Sequence, residues 1–180
     1  MTDAPATSPA ATVTSAGSPF WRFSLGFYRV SGVADACIRL QEEAGIDVNL
    51  LLFLLWHATH RRALAAAEVA ALEDRVAPWR ETIVIPLRRM RRALKAPPAL
   101  VAAAEAEAFR NRIKAVELEA ERLQQEAMHE LTRAALLGQD APSTEAAARA
   151  SIASYASIAR TKFPPTAVET LLAALPRDPP

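Results

Sequence analysis

The stretch Gly45-Ile46-Asp47-Val48-Asn49-Leu50-Leu51-Leu52-Phe53-Leu54-Leu55-Trp56 decides the fold. From Leu50 to Trp56 the only polar side-chain atom is the indole nitrogen, so a helix through this run is apolar on every side and has to be enclosed by other elements. Gly45 is suited to stop a preceding helix in the left-handed conformation. Asp47 places a carboxylate where the free N–H groups of a first turn and the positive end of a helix dipole favour one. The reading is a hub helix over 47–60, ended by His60, Arg61 and Arg62, whose charges suit a C-terminus. A bilayer span takes roughly 20 consecutive apolar residues, more than this run supplies. The hub is therefore expected at the centre of a soluble, cytoplasmic protein.

Outward from the hub the signals are helical. Ser18 and Pro19 read as an N-cap and first helical residue, after which Phe20, Phe23 and Phe27 share one face, with Trp21, Leu25 and Tyr28 beside it. Gly26 within this helix suggests a neighbour in close approach. Ser31 is read as the cap of a second helix running to Glu43, with Val33, Cys37 and Leu40 on its apolar face. After the hub, an Ala-rich helix from about Leu64 to Val76 is expected to close at Pro78. Beyond Pro86, Leu87, Met90 and Leu94 line one side of a helix and Arg88, Arg89, Arg91, Arg92 and Lys95 the other.

The longest element is expected over about 99–137. There Ala102, Ala106, Phe109, Ile113, Val116, Ala120, Leu123 and Ala127 alternate steps of four and three, the spacing of a coiled-coil seam. Gly138 should end it. A weaker helix from Ser143 to Arg160 and a short one over 167–175 complete the chain, while strand signals are confined to Thr82–Ile85, which Pro86 cuts off. The expected fold is all-α: a single-domain helical bundle around a buried central helix, with one long helix. Residues 1–18 read as a disordered tail without the charged start of a secretory signal, 19–160 as the bundle, and 161–180 as a short helix and Pro-rich tail.

Charge narrows the function classes. The 21 Lys and Arg against 20 Asp and Glu leave no global field for nucleic acid. A single Cys37 excludes an intramolecular disulfide and a Cys-rich zinc site, and fits a reducing compartment as a packed core residue. The five glycines are scattered singly, so there is no phosphate-cradling loop, and no serine or cysteine carries a local nucleophile signature.

Four groups of residues are candidates for chemistry. Arg88, Arg89, Arg91, Arg92 and Lys95 form an anion or partner face, or a solvated face answered by Glu105, Glu107, Glu117, Glu119 and Glu121 of the next helix. Trp21, Phe27, Tyr28, Trp56 and Trp79, with Phe20 and Phe23, are either core or the lining of an apolar pocket. Glu126-Ala-Met-His129 has the Glu-x-x-His spacing of di-iron bundles, with His57, His60, Glu117 and Glu121 as further ligands; the second pair that such a site needs is missing, so neither a metal nor a cofactor is expected. Asp47 and Asn49 read as caps or as a polar pocket floor.

Trp21 to Tyr28 with Gly32-Val33, Cys37-Ile-Arg-Leu-Gln41, Gly45-Ile-Asp-Val-Asn-Leu-Leu-Leu-Phe53 with Trp56, Trp79-Arg80 with Pro86-Leu-Arg88, and Ile113-Lys-Ala-Val-Glu-Leu-Glu-Ala-Glu121 together resemble a bacterial family of small all-helical proteins known as a domain of unknown function. The resemblance covers about residues 20–135 and implies a fold without an activity. The leading expectation is thus a non-enzymatic interaction or adaptor module that holds a protein partner, or a second copy of itself, through the 99–137 helix. The alternatives are a binder of a lipid or isoprenoid among the aromatic residues, and a metal-dependent enzyme.

Overall fold

The computed structural model describes residues 17–97 and 99–176. The expected tail up to Ala16 and the last four residues lie outside this range. The described chain is all-α apart from one short strand pair. Its helices are α1 (Pro19–Phe27), α2 (Val33–Ala44), α3 (Val48–Ala58), α4 (Ala66–Trp79), α5 (Ile85–Ala93), α6 (Ala103–Ala134), α7 (Thr144–Ala159) and α8 (Pro165–Ala174). Among the described residues no helix is long and apolar enough to cross a membrane.

The hub is α3. Every residue from Val48 to Leu55 is buried, and so are His57 and Ala58, while Trp56 is half-buried at the rim. Asp47 caps it as its sequence position requires, its Oδ1 accepting from the Asn49 N–H at 2.8 Å. Gly45 takes the left-handed conformation at the end of α2. Around α3 stand α7, α6, α1 and α2; α4 leans on α7, and α8 packs against α2. Ala167, Leu171, Leu172 and Leu175 bring α8 and the residue after it into the same core as Phe20, Leu40, Phe53 and Ile152.

Several expectations are corrected. The second helix is capped by Gly32 at φ 81° and not by Ser31, with no side-chain hydrogen bond at that position. A Cβ at Gly26 would meet nothing within 4 Å, so close approach is not the reason for that glycine. Pro78 does not close α4: the helix runs through it to Trp79 and into a π turn, Arg80–Val84, that joins it to α5. In this turn the Ile85 N–H reaches back five residues to the Arg80 carbonyl, and the Thr82 hydroxyl donates to the Pro78 carbonyl at 2.6 Å. Pro86 follows directly in the first turn of α5, where the ladder is already interrupted and a proline costs little, whereas Pro78 lies within α4 itself. None of α5 is fully buried: on its apolar side Leu87 and, just past its end, Leu94 are half-buried, and Met90 is exposed. The last helix, expected from residue 167, starts two residues earlier, at Pro165. The long helix has 32 residues, about 48 Å, and stops at Ala134, short of Gly138.

Gly138 has another task. Strands β1 (Arg62–Ala63) and β2 (Gln139–Asp140) pair antiparallel. Arg62 bonds the Leu137 and Gly138 carbonyls and the Asp140 carboxylate, while Glu68 accepts from the Gly138 N–H at 2.7 Å. Gly138 sits at φ 74°, and a Cβ there would lie 2.9 Å from the Ala63 carbonyl oxygen. Gly138→Ala combines left-handed strain with a clash against backbone, and is expected to cost roughly 2 kcal/mol. A urea midpoint that stays at the wild-type value would remove this reading.

Candidate functional site

The face of α6 that meets the rest of the protein is polar where a core helix is ordinarily apolar. Glu117, Gln124 and Gln125 are buried on it, together with Ala106, Ala120 and Met128. Buried polar groups need partners, and the start of α3 supplies two of them. Gln124 Nε2 donates to Asp47 Oδ2 at 2.6 Å, and Gln125 Nε2 donates to Asn49 Oδ1 at 2.7 Å. From α7, the Tyr155 hydroxyl accepts from the Asp47 N–H at 2.9 Å. From the π turn, Arg80 reaches Asp47 Oδ2 at 3.6 Å and Glu73 at 2.7 Å. Burial pushes the Asp47 carboxyl above its ordinary range, against the Gln124 hydrogen bond, the Arg80 charge and the Asn49 N–H, which hold it down. Asp47 is thus the cap, Asn49 is the residue it caps and not a cap itself, and their side chains are the meeting point of four elements.

One helical turn and more toward the N-terminus of α6, the same face becomes ionic. Arg88 bonds Glu117 at 3.0 Å and Glu121 at 2.6 Å, and Arg91 also bonds Glu117. Burial raises the Glu117 carboxyl, but the hydrogen bonds from Arg91 and Arg88 outweigh it and its pKa falls below the usual carboxylate range; at Glu121 burial prevails and the shift is upward. Two carboxylates one turn apart are driven in opposite directions. Arg92 pairs with Glu42 of α2 at 3.1 Å. Arg89 and Lys95 are exposed and form no ion pair among the described residues. The basic row of α5 is therefore divided: Arg88 and Arg91 hold the α5–α6 hairpin together, and Arg89 and Lys95 face outward.

The aromatic candidates disperse. Phe27 is buried and stacked on Phe23, and Tyr28 lies beside Cys37, whose thiol burial pushes up to about 11. Trp56 packs against Phe20 and Phe53 at 5.6 and 5.9 Å between ring centroids. Two clefts of about 320 and 280 Å³ lie beside α8, and none of Trp21, Phe27, Tyr28, Trp56 or Trp79 lines either.

Around Trp56 the structure gathers the chain's three histidines. His57, His60 and His129 stand 5.0, 5.1 and 5.4 Å from the indole, centroid to centroid. Glu126, which shares a Glu-x-x-His spacing with His129, instead accepts from the Ser18 N–H at 2.9 Å. Among the described residues no three His, Cys, Asp or Glu are placed to hold a metal ion.

His57 is buried with Nε2 unpartnered, and its pKa falls from 6.5 to about 4, first through burial and then through the charges of His60 and Arg62. The unfolded chain therefore takes up this proton at higher pH than the folded one. Its contribution to stability is present above about pH 6.5 and lost as pH falls toward 4, up to roughly 3 kcal/mol. Urea titrations across this window should show the loss in the wild type and a flatter profile in His57→Phe. An unchanged slope in the variant would assign the loss to another group.

The outer flank of α6 has no such partners. Phe109, Val116 and Leu123 are 41%, 52% and 44% exposed at intervals of seven residues, which on a helix draws one nearly straight stripe. They are half of the seam visible in the sequence; the other half, Ala106, Ile113 and Ala120, turns toward the body. Trp79 donates its indole N–H to the Ala120 carbonyl at 3.0 Å while remaining 37% exposed, so a large ring stands within one turn of both Val116 and Leu123. The seam spacing was legible. The inner network of Asp47, Arg80, Gln124, Gln125 and Tyr155 was missed, although its signal is there: Glu117 and Gln124 stand in the heptad phase of a buried alanine's neighbours.

No curated protein and no solved structure matches the chain. A family model matches residues 19–128, from the start of α1 through the part of α6 that carries the inner network. The chain belongs to that family, described as protein of unknown function (DUF2390).

Proposed function

We propose that this chain is a non-enzymatic docking module of the cytoplasm, in which the bundle serves as the mount for the outer flank of α6. The observation that carries the reading is the stripe of Phe109, Val116 and Leu123, large apolar side chains left open at heptad spacing beside a half-exposed tryptophan. Contiguous exposed apolar surface is a mark of interaction sites, and tryptophan is the residue most enriched among interface anchors. The polar inner face supports the same reading. Hydrogen bonds and ion pairs are directional, so Asp47–Gln124, Asn49–Gln125 and Arg88–Glu117 fix the rotation of α6 about its axis, and with it the direction in which the stripe points. A lone buried Cys37 fits the reducing cytoplasm.

The double variant Val116→Asp/Leu123→Asp tests this. Both positions are open to solvent, so the melting temperature is expected to stay within a few degrees of wild type, while association measured by sedimentation and cross-linking at low salt is lost. A wild-type chain that stays monomeric and retains no protein from a lysate would sink the proposal.

A further inference from the structure

We infer that the occupant of the α6 stripe is a second copy of this chain, docked antiparallel about a twofold axis through Val116; this rests on the docking reading above. The argument is the self-complementarity of one flank. A twofold axis at Val116 sets each residue opposite the one equally far on the other side, so Phe109 meets Leu123 of the second copy twice and Val116 meets itself. Arg112 and Glu119 lie along the same edge of the stripe, seven residues apart, and both are exposed; Glu119 is bonded by Arg122 of its own helix at 2.6 Å, and the second copy's Arg112 would share that carboxylate. The antiparallel arrangement brings Arg112 to within one position of the other copy's Glu119, again twice. A parallel pair in register would carry the Arg112–Glu119 edges of the two copies to opposite sides of the contact, where neither edge meets the other, so only the antiparallel arrangement uses this charge complementarity. Arg112 forms no ion pair among the described residues; its guanidinium lies over the Phe109 ring at 5.5 Å, alongside the stripe it would flank.

The geometry is tested by cysteine pairing in the full-length chain, in which the native Cys37 is buried. Val116→Cys is expected to give a disulfide-linked dimer under mild oxidation. Leu118→Cys is equally open at 51% exposure but about 200° round the helix, and should remain monomeric. A mixture of Phe109→Cys and Leu123→Cys chains should link one to the other, whereas a parallel pair would link each to its own kind. Arg112→Glu alone is expected to weaken dimerisation roughly tenfold at low salt, and Arg112→Glu/Glu119→Arg to restore it to within about twofold. Equal linking at 116 and 118, homotypic linking in the mixture, or no recovery in the double exchange overturns the antiparallel register. A wild-type monomer that retains a different protein, released by Val116→Asp/Leu123→Asp, overturns the second copy and leaves the docking reading standing. A monomer that retains nothing overturns both.

Discussion

Leu55→Asp, like Leu52→Asp, is expected to leave no folded protein at 25 °C. Leu55 is 0% exposed and Leu52 1%, and α3 is enclosed by α7, α6, α1 and α2, so the new carboxylate has no route to water. Removing a packed leucine already costs about 2–5 kcal/mol. An unpaired buried charge adds several more, and a carboxyl that takes up a proton to avoid this still leaves an unsatisfied polar group in the core. Net stabilities of ordinary domains are about 5–15 kcal/mol, so the combined loss reaches the whole of it. Far-UV circular dichroism and the soluble yield report the outcome. A cooperative melt within a few degrees of wild type would contradict the enclosure of α3.

Arg80→Met has the next largest expected effect, about 3–5 kcal/mol, and its cause lies in what remains behind. Asp47 is buried with its Oδ2 facing Arg80, and Glu73 is paired to the same guanidinium. Without the cation the Asp47 carboxyl, already raised by burial, is driven higher still. Asp47→Asn keeps the acceptor that caps α3 while removing the charge, but it sets an amide nitrogen where Oδ2 accepts from Gln124, so the double variant Arg80→Met/Asp47→Asn should recover part of the loss. A urea double-mutant cycle measures this coupling. Strict additivity of the two substitutions would show that Arg80 does not act on Asp47.

Leucine and arginine here stand at opposite ends of what the sequence discloses. Leu52 and Leu55 were legible as core because a helix with no polar side has a single solution, and Gly45 and Asp47 mark its start by local chemistry alone. Arg80 was not legible. Its partners Glu73 and Asp47 lie on different elements, and the sequence around it carries two prolines whose ordinary meaning is a break. Neither proline breaks the chain here: Pro86 falls in the first turn of α5, just past the π turn, and α4 runs on through Pro78. The seam on α6 was visible as spacing, yet spacing does not say which half meets the body; Ala106 and Ala120 are small enough to sit against other helices, and Phe109, Val116 and Leu123 stay outside. The gathering of His57, His60 and His129 on Trp56 depends on where α6 crosses the end of α3, which no local pattern encodes.

The π turn between Trp79 and Ile85 also separates the length of the chain from the phase of its helices. It holds one residue more than an α-helical turn needs, and the excess is confined there. Loss of one residue within Arg80–Val84 closes the turn to an α-helical one and leaves Arg88 and Arg91 directed at Glu117. The same loss within α5 rotates the residues beyond it by about 100°. The segment whose prolines read as an end of α4 is thus the place where one residue of excess is absorbed without turning the faces on either side.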